Sequence, residues 1–250
     1  MGLFDLFKGK SEGKNKGERP KSNPADKWAE RAADKRAQNY DRQEALQALA
    51  DMKTPEAAAA LLKRFTFNMD PSITDQEEKE LAFQGVLAAG SGAIEPVRAF
   101  AAKADSLAWP MKLLKELLPE DKYVEELIAW LARWDTEYAK FIDPKIQLLV
   151  ALEDYKHPKI REAVEPFLID VNETARFHAV ATTFAQEDAA ALVPLLSTLA
   201  DEESFRVKNK ICDGVSVRGW TIPDDQRDAA RKSLPSGYSI DGSGHITSRA

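Results

Sequence analysis

Apolar residues recur along this chain at intervals of three and four, which is the spacing of one helix face. The runs are broken by short clusters of Pro, Gly, Asn and Asp, the residues that start and stop helices. Asn23-Pro24 predicts a helix over residues 24–39 anchored by Trp28, followed by a second over 42–52 with Leu46 and Leu49 on one face. Thr54-Pro55 opens the next, which carries Leu61, Leu62 and Phe65. Asp75 opens a helix bearing Leu81, Phe83, Val86 and Leu87 that closes at Gly90-Ser91-Gly92, and Ile94, Val97 and Phe100 mark its partner. Residues 107–118, stopped by Pro119, pair with 121–138. Asp143-Pro144 and His157-Pro158 start another two, residues 172–184 and 189–199 a further pair, and 204–217 and 224–234 the last.

These segments form a repeat. The openings at Asp41, Asp75, Ser106, Asp143, Asn172 and Ser204 lie 34, 31, 37, 29 and 32 residues apart. A loose period in the thirties with one helical hairpin per repeat predicts an all-α fold, an α-solenoid of about five to six hairpins over residues 24–234. Each hairpin has one apolar side that only its neighbours can cover. Residues 235–250 break the pattern: Asp241-Gly242-Ser243-Gly244 lies between Tyr238-Ser239-Ile240 and His245-Ile246-Thr247, which predicts a small C-terminal β-hairpin that caps the array.

The first 23 residues read differently. Residues 9–24 hold no large apolar side chain, so they cannot bury enough surface to offset the entropy of ordering, and the expectation is a disordered basic tail. Ahead of that stretch, MGLFDLFK places Leu3, Phe4, Leu6 and Phe7 among eight residues. This reads as a short docking element for a membrane surface or a protein groove. Leu6 stands where N-myristoylation wants Ser or Thr, so lipid attachment is not expected.

Composition narrows the classes. The net charge is -6, and residues 1–36 hold ten Lys or Arg against six Asp or Glu, so the remainder carries -10. An acidic body disfavours general nucleic-acid binding, which needs clustered positive charge. The single cysteine, Cys212, excludes an internal disulfide framework and suits a reducing compartment. No apolar run approaches the roughly 20 residues of a spanning helix, and the first residues lack a secretory signal, so a cytoplasmic location is expected.

Candidate chemistry is sparse. Of the three histidines, His157 sits at a helix start, His178 beside Phe177 in mid-helix, and His245 near the end. None has the spacing of a metal pair, and neither GxSxG nor a Walker A motif occurs. No catalytic residue, metal or cofactor is expected. Two groups of residues stand out as candidate partner contacts. Trp130, Trp134 and Tyr138 fall four apart on the predicted helix 121–138, either as core between repeats or as an exposed aromatic anchor for a partner. Arg176 and Arg206, with Lys208, Lys210 and Arg218, either pair with Asp170, Asp201 or Glu202 from turn to turn, or form a basic strip for an acidic partner.

Residues 170–211 carry a resemblance. An amide turn at Asn172 precedes Arg176 and the Ala-rich helix at Ala179; Pro194, Leu195, Leu196 and Leu199 fill a second helix; Asp201 and Arg206 restart the cycle. This resembles HEAT repeats of the bacterial, phycobilin-lyase-like type, and residues 143–168 follow the same scheme more loosely. The resemblance implies a curved scaffold whose partner is another protein. The expected function is a non-enzymatic interaction scaffold or adaptor. The alternatives are a HEAT-like nucleic-acid-binding or alkylated-base repair protein and a chromophore-lyase-like subunit.

Overall fold

The structure is a computed structural model that describes residues 23–248. The N-terminal tail, with Leu3, Phe4 and Phe7, lies outside the described residues. Thirteen α-helices follow one another among the described residues, closed by one two-stranded sheet. They are α1 (Asp26–Ala33), α2 (Asn39–Met52), α3 (Pro55–Leu62), α4 (Ser72–Ala88), α5 (Ile94–Ala101), α6 (Ala108–Leu117) and α7 (Glu120–Leu131), then α8 (Asp143–Glu153), α9 (Ile160–Val164), α10 (Glu173–Ala185), α11 (Leu192–Asp201), α12 (Phe205–Arg218) and α13 (Arg227–Ser233).

Helix starts marked by a capping side chain fall where the sequence puts them, whereas α4 begins at Ser72, three residues before the expected Asp75. Thr54, Asn172 and Ser204 each accept a backbone N–H from the first turn of α3, α10 and α12. Gly219 ends α12 in the left-handed conformation that glycine takes without strain.

Three helices are shorter than expected, each for a visible reason. The predicted helix 24–39 stops at Ala33, because the Asp34 carboxylate accepts the Arg36 N–H at 2.8 Å and turns the chain. Helix 121–138 stops at Leu131. The N–H groups of Arg133 and Trp134 bond three residues back, and the Asp135 side chain then accepts the Glu137 N–H. The carbonyls of Asp135 and Thr136 are taken by Lys145 and by the Val171 N–H. Trp130, Trp134 and Tyr138 therefore do not share one helix face, and the longest described helix is α4, with 17 residues. The helix expected from His157-Pro158 is five residues of α9 and a 3₁₀ turn, since Pro166 has no N–H to continue the α ladder.

Every main helix–helix contact joins helices one or two places apart in chain order: α2 lies on α1, α3 and α4, α7 on α6 and α8, and α10 on α8, α9 and α12. The core runs along this array as one cluster, with Leu46, Leu61, Leu114, Leu127, Leu149, Leu195 and Ile211 fully buried. At the end, β1 (Tyr238–Ile240) pairs antiparallel with β2 (Ile246–Ser248), Tyr238 opposite Ser248. The hairpin lies on α12 and α13, the Tyr238 hydroxyl donates to Asp213 at 2.6 Å, and Ile246 is buried.

Candidate functional site

The connections that lead from one helical hairpin to the next lie along a common edge, because each is bonded to its neighbour. Residues 34–42 meet residues 64–79 through charged groups. Arg42 and Arg64 each donate Nε to the same Glu78 oxygen at 2.7 Å, and Arg64 and Lys79 both bond Asp75. All five side chains are buried. The Phe65 ring stacks on Trp109 at 4.5 Å and joins the second connection to the third. Gln147 of α8 accepts the Leu107 N–H at 2.6 Å and bonds Ser106. The Val171 N–H donates to the Thr136 carbonyl at 3.0 Å. Ser204 donates to Glu173 at 3.1 Å.

One device recurs along the edge. A cation in the first turn of a helix donates to a carbonyl in the connection before it and to a carboxylate farther along the chain, inside α4 for Arg42 and in a connection for Lys145 and Arg176. Arg42 bonds the Ala37 carbonyl and Glu78; Lys145 bonds the Asp135 carbonyl and Asp170; Arg176 bonds the Asp170 carbonyl and Glu202. The carboxylates brace their own turns, since Asp170 accepts the Asn172 N–H and Glu202 that of Ser204. Burial would push the Glu202 carboxyl up, but the hydrogen bonds from Arg176 and the Ser204 amide outweigh it and hold it below its ordinary value. Buried ion pairs add little net stability, but they specify geometry where each charge is fully paired.

This braced edge carries apolar side chains that no other described residue covers. Ten large hydrophobic residues are exposed among those described, and seven of them, Tyr40, Ile73, Tyr138, Phe141, Ile169, Val171 and Phe205, sit in these connections or in the first turn after them. This is a clustering rather than the scatter of single exposed hydrophobics that is ordinary on a protein surface.

At the middle of the edge is an open notch of about 350 Å³, bounded by Leu107, Trp130, Trp134, Phe141 and Pro144, with Lys103, Arg133 and Asp105 at its rim. Trp130 is 3% exposed, so its ring is core that also forms the notch wall, and its indole N–H meets no acceptor among the described residues. Trp134 is half-buried, its backbone N–H donating to the Leu131 carbonyl and the Lys145 ammonium lying 6.0 Å from its ring. Tyr138 is 83% exposed and stands outside the notch. The structure thus brings two of the three predicted aromatics together and adds Phe141 and Leu107, which sequence spacing did not single out.

Arg176 is engaged with Glu202 rather than free for a ligand. Arg206 lies over the Phe177 ring at 3.7 Å and reaches Glu173 at 3.3 Å. Burial pushes the Cys212 thiol up to about 12, so the thiolate that would act as a nucleophile is scarce at neutral pH. Burial lowers the His178 imidazole, which favours its neutral form. Among the described residues no group of three or more His, Cys, Asp or Glu is placed to hold a metal ion, and no helix is long and apolar enough to cross a membrane.

Compared with models of protein families, with curated proteins and with solved structures, the chain matches none.

Proposed function

We propose that this protein is a non-enzymatic interaction scaffold, an α-solenoid of the HEAT-like kind, that binds another protein along the edge formed by its inter-hairpin connections. The observation that carries this reading is the exposure of Tyr138, Phe141, Ile169, Val171 and Phe205 on turns held by ion pairs and hydrogen bonds. Exposed apolar side chains on a rigid support lose little entropy when a partner covers them, which is the condition for an anchor. The local order of helix contacts supports the solenoid reading, since each hairpin then covers only its neighbours. The single buried cysteine agrees with a cytoplasmic location.

The test is a pair of charge insertions read by capture from the native host. Tyr138→Glu with Ile169→Glu should remove the captured partner while leaving the melting temperature within a degree or two, because both side chains already face water. Val217→Glu, an exposed site on α12 away from the edge, should leave capture intact. Equal capture by both variants rules out the edge as the binding surface.

A further inference from the structure

Toward the C-terminal end of the edge, exposed apolar side chains lie in a field of one sign. Where the 3₁₀ turn of residues 165–169 meets α11, two adjoining hollows of about 330 and 460 Å³ share Leu168, Ile169 and Thr198 and make one groove. Ile169 is 71% exposed and Val171 57%, so the groove presents apolar surface to water. The cations that line or back it are taken by carboxylates: Arg161 by Glu165 and Asp188, Arg176 by Glu202, Lys145 by Asp170. Two anions of the lining, Asp201 and Glu203, are exposed and make no ion pair among the described residues. Lys208, Lys210, Arg218 and Lys232, the cations of α12 and α13 without an ion pair there, do not line the groove.

The excess of negative charge is regional. Residues 157–204 hold three Lys or Arg against nine Asp or Glu, a net -6 over 48 residues, whereas residues 37–156 hold 14 against 21, a net -7 over 120. The notch beside Trp134 has no such bias, since residues 101–107 and 132–143 hold three Lys or Arg against four Asp or Glu. The chain itself contains a segment of the opposite composition. Residues 1–22 hold six Lys or Arg against three Asp or Glu, and Leu3, Phe4, Leu6 and Phe7 come directly before Lys8 and Lys10. Apolar side chains followed by cations match apolar surface bordered by unpaired anions.

We propose that this groove receives the N-terminal segment of a second copy of the chain, Phe4 and Phe7 against Ile169 and Val171, and Lys8 and Lys10 toward Asp201 and Glu203. This deepens the scaffold reading, rests on the edge as a binding surface, and names one partner for it. Length selects a second copy over the same one. Five steps lead from α1 through α3, α5, α7 and α9 to α11, and at about 8–10 Å between packed helices they cover roughly 40–50 Å. The 13 residues from Lys10 to Asn23 reach about 45 Å only when fully extended. A second copy brings its segment to the groove without that cost. The contact joins two different surfaces, so it is head-to-tail and each copy keeps one segment and one groove to offer.

The experiment is sedimentation velocity of the full chain over a range of concentrations at low and moderate salt. The parent should associate as concentration rises, and moderate salt should raise the concentration needed by at least about tenfold. A segment variant, Phe4→Glu with Phe7→Glu, and a groove variant, Asp201→Lys with Glu203→Lys, should each remain monomeric. Mixed together they should form a one-to-one complex that grows no further, because one retains the groove and the other the segment. Asp201 and Glu203 are exposed, so a thermal melt matching the parent shows that the groove variant keeps its fold. A synthetic peptide of residues 1–22 should bind the segment variant and not the groove variant. A parent that is monomeric at every concentration, a groove variant that associates like the parent, or a mixture that forms no complex overturns the proposal. Binding of the peptide to anionic phosphatidylserine vesicles but not to the segment variant overturns it too, in favour of a membrane surface. If the parent is monomeric while Tyr138→Glu with Ile169→Glu still abolishes partner capture, the self-association proposal falls and the scaffold reading stands.

Discussion

Glu78→Gln should destabilise this protein by about 3–5 kcal/mol, the cost of leaving buried charge without its counter-ion. One oxygen of Glu78 receives Nε of both Arg42 and Arg64 at 2.7 Å, and all three side chains are fully buried. The cluster holds three cations, Arg42, Arg64 and Lys79, against two anions, Glu78 and Asp75. The substitution keeps the shape but removes half of the negative charge, so two guanidinium groups face a neutral amide in a dry space. The second Glu78 oxygen already lacks a partner, and so an amide nitrogen placed there gains nothing in return. Arg42 to the Ala37 carbonyl and Arg64 to the Phe67 carbonyl remain, which is why the loss is not larger. Chemical denaturation of parent and variant measures the difference. A change below about 1 kcal/mol would mean that water enters the cluster and screens it.

Acid should act on the same place. Burial would push the Asp75 carboxyl up, but hydrogen bonds from Lys79 and Arg64 outweigh it and hold the carboxyl below its ordinary value. A carboxyl depressed in the folded state binds its proton more readily once unfolded. Its contribution to stability is therefore complete at neutral pH and is lost as pH falls below about 4 toward the folded value. Glu202, lowered through Arg176, adds a second contribution of the same sign. Stability measured from pH 7 downward should hold nearly level to about pH 5 and then fall, and the Asp75→Asn variant should show a shallower fall. A profile that is as steep in the variant as in the parent would place the acid sensitivity elsewhere.

Much of the helical order was legible because its signals are local. Thr54, Asn172 and Ser204 cap helices through bonds within three residues, and Asp241 to Gly244 turn a hairpin for the same reason. What could not be read were the ends of helices whose backbone is claimed from a distance. Trp130, Trp134 and Tyr138 have helical spacing, yet the carbonyls at 135 and 136 are taken by Lys145 and Val171, so the helix stops at Leu131. The notch was half legible. Two tryptophans four apart drew attention, but Phe141 and Leu107 reach it only because the connections at 101–107 and 132–142 come together in space. The ionic cluster was invisible for a further reason. Arg42, Arg64 and Lys145 look like ordinary surface charges on their own helices, and only a neighbouring hairpin buries them. The Arg176 pair with Glu202 was open to reading, since the repeat pattern itself suggested a turn-to-turn partner.

Lys145→Met should cost about 3–5 kcal/mol, although Met follows the shape of the lysine stem closely. Both side chains of the Lys145–Asp170 pair are fully buried, at 2.6 Å. The ammonium also donates to the Asp135 carbonyl at 2.8 Å and lies near the rings of Trp134 and Phe167. Methionine keeps the packing with those rings but leaves the Asp170 carboxylate buried, with one oxygen still taken by the Asn172 N–H and the other unpaired. Adding Asp170→Leu to Lys145→Met should recover most of the loss, because a buried ion pair replaced as a unit by apolar groups approaches neutrality. Asp170→Leu alone should be as costly as Lys145→Met alone, so the cycle should show a coupling of at least about 2 kcal/mol. The same variants separate stability from the surface they support. Lys145 ties the connection carrying Tyr138 and Phe141 to the one carrying Ile169 and Val171. If the edge binds its partner as a rigid body, the double variant should fold yet capture the partner less well, because among the described residues the hydrogen bond then left between the two connections is that of the Val171 N–H to the Thr136 carbonyl. Full recovery of stability with undiminished capture would show that the pair sets the fold and not the binding surface.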